Sequence, residues 1–520
     1  MKRGVAMGEN EQKKKNIRTV GVMMALTLIG KVLGLARDVM LGHTFATGVA
    51  ATAFLTASRI PRNFFDAIFA SAISASFIPV FNEYLEKQGR EEAYRLSSAF
   101  LTIITVLTAA LSALGMVFAE PLTALLANGF DAETAALCAH LLRILFPTVL
   151  FTGLAFSLVG ILQSMGEFNI PALLSTVSNT VILLYYVFFV GRFGITGLAA
   201  AFLLGWAMQV LVQLPSLRRF GYRYHPSLRH EGLRKILLLA GPVLVSTWVQ
   251  PLNLTIATRY ASHISGGASA LEYANTLYTI VAGVFVLSIA NVIFPELSRF
   301  AARDDGTAMG ERLSGTLNAM LFLLTPMAAG LSALARPVVR LLYEWGNWDE
   351  SSTALTAGAL AFLSLGMLGY GMQIILSRAF YAEQKGTIPL IAGAVSVLSN
   401  IALCQLLAPG LGLRGLALAS AVSLALPALV LLIAAAERYH GLLNRAAMLD
   451  FAKMLLCALL MAAAVRFAER AAAARLSDGL SGRALVVLLP TLLGAAVYLT
   501  GALLLRVSTA GQIRNLLRRS

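Results

Sequence analysis

Charge is what this sequence has least of. Only 13% of its 520 residues are Asp, Glu, Lys or Arg, about half the share of an ordinary soluble protein. A chain of this length with so little charge cannot cover a water-facing surface, which excludes the soluble globular class. Cysteine is scarcer still. Cys138, Cys404 and Cys457 lie far apart, within or beside apolar runs, and offer neither a disulfide framework nor a metal-ligand spacing. The six histidines show no ligand spacing either; His140 and His263 read as polar helix-end residues. No metal and no cofactor is expected. There is no phosphate-binding glycine loop, no nucleophile elbow and no HExxH, so neither an enzyme nor an ATP-driven pump has support. Nothing resembles a nucleic-acid module. A short leader with its cleavage site is missing too: the polar tail Glu9–Arg18 runs straight into a long helix, which is expected to stay.

What the chain has instead is apolar length. Hydrophobic residues make up 58% of it, and the mean hydropathy is +0.75. Leu101–Phe118, Leu355–Leu376, Leu416–Ala436 and Leu485–Leu505 are among the runs that can cross a hydrocarbon core of about 30 Å. Gly, Pro and charge punctuate these runs. They place helices near 17–42, 51–82, 95–119, 134–164, 170–190, 194–216, 234–263, 269–300, 310–335, 352–383, 386–408 and 412–437, with a final pair near 448–470 and 484–507. The fold class expected is an all-α integral membrane protein of about fourteen transmembrane helices.

The net charge of +15 is topological on this reading. Lys and Arg gather on the cytoplasmic side of membrane proteins. An N-terminus inside puts Lys13, Lys14, Lys15 and Arg18 there. The loop after the sixth helix, with Arg218, Arg219, Arg223, Arg229, Arg234 and Lys235, falls on the same side, as do Arg514, Arg518 and Arg519. The opposite loops His43–Ala50, Glu120–Glu133 and His263–Ala270 hold no Lys or Arg; only the last, with Arg470, Arg475 and Arg483, goes against the pattern. Both termini are expected in the cytoplasm.

The chain also repeats itself. Arg95-Leu-Ser returns as Arg312-Leu-Ser at an offset of 217, and Ala119-Glu-Pro121 as Ala335-Arg-Pro337 at 216. Phe77-Ile-Pro79 returns as Ile293-Phe-Pro295 at 216, and Ile170-Pro171 as Ile388-Pro389 at 218. Six helices separate equivalent points, so both halves insert the same way round, a plan of secondary transporters with the substrate path between halves. The expected organisation is a tail (1–16), a six-helix lobe (17–216), a basic loop (217–233) and a second six-helix lobe (234–437) related to the first by a parallel pseudo-two-fold. Two extra helices (448–507) and a basic tail (508–520) complete it.

The first two helices carry charges where few are tolerated: Lys31, Arg37 and Asp38, then Arg59, Arg62 and Asp66. Each costs about 3 kcal/mol near a bilayer centre, and the set about 18 kcal/mol if it faced lipid. Gly30 and Gly34 allow close helix approach, and Pro61 should kink the second helix. Arg59, Arg62 and Asp66 share one face. Two readings stay open: structural ion pairs, with Asp66 on Arg62 and Asp38 on a neighbour, or a cationic cavity for an anionic substrate, which the surplus of base favours. Arg259, Glu272 and Asn275 are candidates to reach the same cavity from the other half, although Arg259 lies near a helix end and can equally snorkel to the interface. Arg143 reads as an end anchor, and Arg378 and Lys385 as topological charges.

Lys31-Val-Leu-Gly-Leu-Ala-Arg37-Asp38, Ala53-Phe-Leu and Arg59-Ile-Pro61 resemble the signature of the MurJ/MviN lipid II flippases, of the multidrug/oligosaccharidyl-lipid/polysaccharide exporter superfamily. Similar stretches are Ser76-Phe-Ile-Pro79, Gly160-Ile-Leu-Gln, Arg378-Ala-Phe-Tyr381 and Thr387-Ile-Pro389. The resemblance implies export of lipid II, the peptidoglycan precursor, across a bacterial inner membrane by alternating access. It implies a cationic cavity for the pyrophosphate and a groove at the two extra helices for the polyprenyl tail. The family's basic residues of the first helix fall on Lys31 and Arg37 and its Asp on Asp38. Its acidic residue opening the second helix falls on Thr52, a further basic residue near Phe64 or Phe65, and its Tyr-Ala-Asp-Arg on Tyr273-Ala-Asn275-Thr276. Arg62 and Arg259 are positioned to make up the charge. A sodium site proposed in some members of that family needs carboxylates in the seventh helix and around the turn between the tenth and eleventh; the seventh helix has none and Lys385 occupies that turn, so sodium coupling is not expected. The departures leave open a flippase for another polyprenyl-linked saccharide, or a scaffold among cell-wall synthesis proteins.

Overall fold

The computed structural model describes residues 2–247, 249–303, 306–383 and 385–511. Lipid offers a backbone no hydrogen-bond partner but itself. The chain answers with helices throughout, and there is no strand among the described residues. In chain order they are α1 (Lys2–Phe45), α2 (residues 49–87), α3 (Arg90–Val117), α4 (Ala132–Ser164), α5 (Asn169–Phe188) and α6 (Val190–Leu211). Then follow α7 (Gly232–Thr247 and Val249–Ala261), α8 (Gly267–Ala302), α9 (Gly306–Ala333), and α10 (Glu350–Leu365 and Met367–Ala382, bent by 42°). Last come α11 (Thr387–Leu411), α12 (Leu413–Arg438), α13 (Arg445–Ala473) and α14 (Leu480–Leu504).

By length and composition 11 of the described helices can cross a membrane, or 12 with the bent pair of α10 taken as one span. The other two of the fourteen expected are α1, which carries Lys31, Arg37 and Asp38, and α7, which is described in two pieces on either side of Trp248. Trp248 and the segment 512–520, with Arg514, Arg518 and Arg519, lie outside the described residues.

Two compact units divide the chain. The first is Met1–Leu41 with Val49–Pro251, the second Gly42–Gly48 with Leu252–Ser520. They use the same local devices in the same order. A short helix precedes α4 in one (Ala119–Leu126) and α10 in the other (Ala335–Tyr343). The Asp131 carboxylate caps α4 by accepting the Thr134 N–H at 2.7 Å, and Asp349 caps α10 by accepting the Ser352 N–H at 2.9 Å. Gly194 (φ 53°) breaks the winding just inside the start of α6, and Gly412 (φ 56°) turns the chain between α11 and α12. Only glycine takes that backbone conformation without steric cost. Asn179 on α5 donates to the Gly30 carbonyl of α1 at 3.1 Å, while Asn400 on α11 donates to the Asn253 carbonyl of α7 at 2.9 Å.

In the second unit the last two helices pack on α9. The buried Tyr498 of α14 donates to the Phe322 carbonyl at 3.0 Å, with their rings 5.3 Å apart. Residues 42–48, the last turn of α1 and the link to α2, are also seated there. The His43 carbonyl accepts the Asn347 N–H at 3.0 Å, the Ala46 carbonyl accepts Tyr273 Oη–H at 3.1 Å, and the Thr47 and Ser352 hydroxyls lie 2.7 Å apart.

The Tyr498 contact yields a test. Tyr498→Phe is expected to cost about 1 kcal/mol for the lost hydrogen bond, and Tyr498→Ala about 3 kcal/mol or more for the lost ring. Unfolding of the purified protein in detergent measures both. Equal shifts near zero would show that α14 is held by something else.

Candidate functional site

Close approach of α1 and α5 begins the site. A Cβ on Gly30 would meet Ser175 Cβ at 3.0 Å, and one on Gly34 would meet Asn179 Nδ2 at 3.3 Å. The two glycines therefore act as the small pair that their spacing suggests. One turn further along α1, Arg37 faces α5 and donates from Nη1 to Asn179 Oδ1 at 2.9 Å. Its Nε and Nη2 both donate to Asp38 Oδ1, at 2.9 and 2.8 Å. Asp38 is thus paired with its own neighbour in sequence, not with Lys31, whose side chain is exposed.

Helix α2 reaches the same place by losing its regular winding. Pro61 has no N–H to give, and Arg59–Phe64 winds as a π-helical segment, with a second one at Ile73–Phe77. Wide turns of this kind concentrate at functional sites. Here the first carries Arg59 and Arg62, and Asp66 follows one turn later. Arg62 and Asp66 join Arg37 around a cavity of about 550 Å³ inside the first unit, walled by α1, α2, α4, α5 and α6. Thr152 of α4 donates to Asp66 Oδ1 at 2.9 Å, and Gln209 of α6 donates to Ser178 Oγ at 2.9 Å. The guanidinium carbons of Arg37 and Arg62 lie 5.3 and 5.1 Å from the centre of one ring, that of Phe202 on α6.

The remaining candidates lie elsewhere. Arg59 is buried at 3% exposure and is not among the residues lining the cavity. Arg259, Glu272 and Asn275 belong to the second unit: Glu272 is buried on α8, Asn275 is half-buried one turn on, and the Arg259 carbonyl accepts the Ser262 hydroxyl at 2.6 Å. Thr52 is buried, and Phe65 stacks on Phe69 at 6.1 Å; the side chain of Phe64 lies outside the described residues. Arg143 pairs with Glu120 at 2.6 Å, Lys385 with Glu383 at 3.2 Å, and Arg378 covers the Phe294 ring at 5.3 Å. No group of three or more potential metal ligands occurs among the described residues. Asn179, Gln209 and Phe202 are site residues that the sequence reading passed over. Asn179 and Gln209 carried a signal, since polar side chains inside an apolar span are functional candidates by default; Phe202 carried none.

Two arginines, a carboxylate and several amides or hydroxyls around one cavity can bind an anion through charge-assisted and bidentate hydrogen bonds. A protein-family model described as lipid II flippase MurJ matches residues 41–482. The chain is 32% identical over 468 residues to a probable lipid II flippase MurJ of Haemophilus influenzae, covering 85% of this chain and 90% of that protein. It is 28% identical over 433 residues to the lipid II flippase MurJ of Burkholderia cenocepacia, covering 81% and 84%. A solved lipid II flippase MurJ in an inward closed conformation superposes with a TM-score of 0.78 at 26% identity, over 93% of this chain and 98% of that one. A multidrug-resistance MATE transporter in its inward-facing conformation, 15% identical, shares the fold with a TM-score of 0.65 over 81% of this chain.

If the cavity is an anion site, Arg37→Ala and Arg62→Ala are each expected to weaken binding of inorganic pyrophosphate to the purified protein about tenfold or more. Arg192→Ala, which removes a surface cation stacked on Phe193, should leave it unchanged. Titration calorimetry at two salt concentrations reads all three. Equal loss in all would mean only diffuse attraction.

Proposed function

The chain belongs to the lipid II flippase MurJ family, and we propose that it carries the polyprenyl-pyrophosphate-linked peptidoglycan precursor from the inner to the outer leaflet by alternating access. It is a multi-pass membrane transporter and not an enzyme. Its substrate is lipid II and its surroundings are membrane lipids. The membrane proposed is the bacterial inner membrane, with both termini in the cytoplasm on the side of the exposed Arg218, Arg219, Arg223, Arg229 and Arg234. Contacts with cell-wall synthesis proteins belong to the same proposal.

One observation carries the substrate assignment: the first unit holds two guanidiniums, Arg37 and Arg62, against a cavity of about 550 Å³. A pyrophosphate is rich in oxygen acceptors and matches the forked donors of arginine. Asp38 orients Arg37, and Asp66 tempers the positive field. In the second unit Arg259, Glu272 and Asn275 are the proposed contributors, with Lys31 and Arg59 as further cations of the first. Arg62 and Arg259 stand in for the charge that Phe64 or Phe65 and Thr276 do not provide.

Those same positions favour a second reading. Thr52, Phe64 or Phe65, and Asn275-Thr276 stand where the resemblance to the family leads one to expect charge. A flippase for another polyprenyl-linked saccharide keeps the pyrophosphate and changes the rest.

Depletion separates the readings. Lipid II should accumulate on the inner leaflet when the protein is removed, and the gene should rescue loss of a known lipid II flippase. Normal lipid II export after depletion, in cells without a second flippase, would sink the leading reading. The double variant Arg62→Ala/Arg259→Ala should abolish rescue; if rescue survives, the compensation of charge is wrong while the transport assignment stands.

A further inference from the structure

Phe202 is not among the residues that line the cavity, yet both of the cavity's cations rest on its ring. The ring is 2% exposed. Phe54 meets it edge-on at 5.1 Å and Trp206 stacks on it at 5.9 Å, so it has no room to turn away. Two like charges repel, and flexible arginines in a watery cavity would ordinarily spread apart. Here a single buried ring lies against one from α1 and one from α2. Their guanidinium carbons are separated by no more than the sum of the two ring distances.

The choice of an aromatic partner matters for what remains available. A carboxylate neutralises a guanidinium and occupies its donors. A ring attracts it through the quadrupole and takes none of its in-plane N–H groups. Arg37 shows the contrast within one side chain. Asp38 takes an N–H from Nε and one from Nη2, and Asn179 takes one from Nη1. Of the five a guanidinium carries, one N–H on each terminal nitrogen is left, at most a single two-pronged contact with one phosphate. A second phosphate joined to the first would then need a second guanidinium at fixed spacing.

We propose that Phe202 is a positioning residue that fixes Arg37 and Arg62 as a pair matched to two linked phosphates, so that the site selects a diphosphate headgroup over a monophosphate. This rests on the pyrophosphate reading of the cavity given above. The ring touches no substrate; it sets the spacing of the groups that do.

The test uses the full chain in lipid nanodiscs with two ligands, a polyprenyl diphosphate and the matching polyprenyl monophosphate. Phe202 is replaced by mono-, di- and trifluorophenylalanine, which keep the ring's shape while draining its quadrupole, and by Tyr and Leu. Affinity for the diphosphate should fall stepwise along the fluorinated series, reaching about tenfold with three fluorines, while affinity for the monophosphate changes by about twofold or less. Phe202→Tyr should keep the preference and Phe202→Leu should lose it. A flat response to fluorination, or an equal loss for both ligands, would overturn the role of Phe202. No diphosphate preference in the unsubstituted protein would instead overturn the pyrophosphate reading itself, and this inference with it.

Discussion

Hydrocarbon offers no partner to a charge or to a backbone amide, and most of this molecule follows from that. Backbone amides are satisfied by winding the chain into helices. Charges are more demanding, because burying one unpaired costs more than several leucines return. The contacts of the buried charges on α1 and α2 answer this constraint. Arg37 is held by Asp38, Asn179 and Phe202, Asp66 by Thr152, and Arg62 by Phe202. The charges that the proposed headgroup site needs are thus stabilised by neighbours on three other helices.

The second unit meets the same constraint at a helix end, where water is near and geometry is looser. Arg340 pairs with Glu344 and Asp478 at 3.1 Å each, and Arg483 covers the Trp345 ring at 4.6 Å. Arg483 and Arg340 hold the Asp478 carboxyl below its ordinary range. Arg483 is one of the three arginines that go against the expected loop asymmetry, and its partners explain how it is accommodated. Exposed pairs of this sort add little stability one by one; their effect is to tie α14 to the short helix Ala335–Tyr343.

The large features were legible in the sequence because they are properties of long segments. Hydropathy sums over some twenty residues, so the helices declared themselves, and so did the family resemblance in Lys31–Asp38. Local chemistry was legible where one residue type has one physical use: Gly30 and Gly34 for close approach, Pro61 for a break in regular winding. Pairing was not. Asp38 lies one residue from Arg37 and seven from Lys31, and only the turn of α1 against α5 decides between them. Phe202 sits in Ala199-Ala-Ala-Phe-Leu-Leu, where an aromatic residue is indistinguishable from core packing. Its role depends on two arginines more than a hundred residues away.

The seating of residues 42–48 in the second unit has a consequence for connectivity. The backbone passes between the units at three points, after Leu41, after Gly48 and after Pro251. A chain severed once near residue 251 would yield two fragments, yet the first would still carry a segment hydrogen-bonded among Tyr273, Asn347 and Ser352 of the second. A gene split at that boundary would therefore leave, on the first piece, a segment that belongs to the second unit.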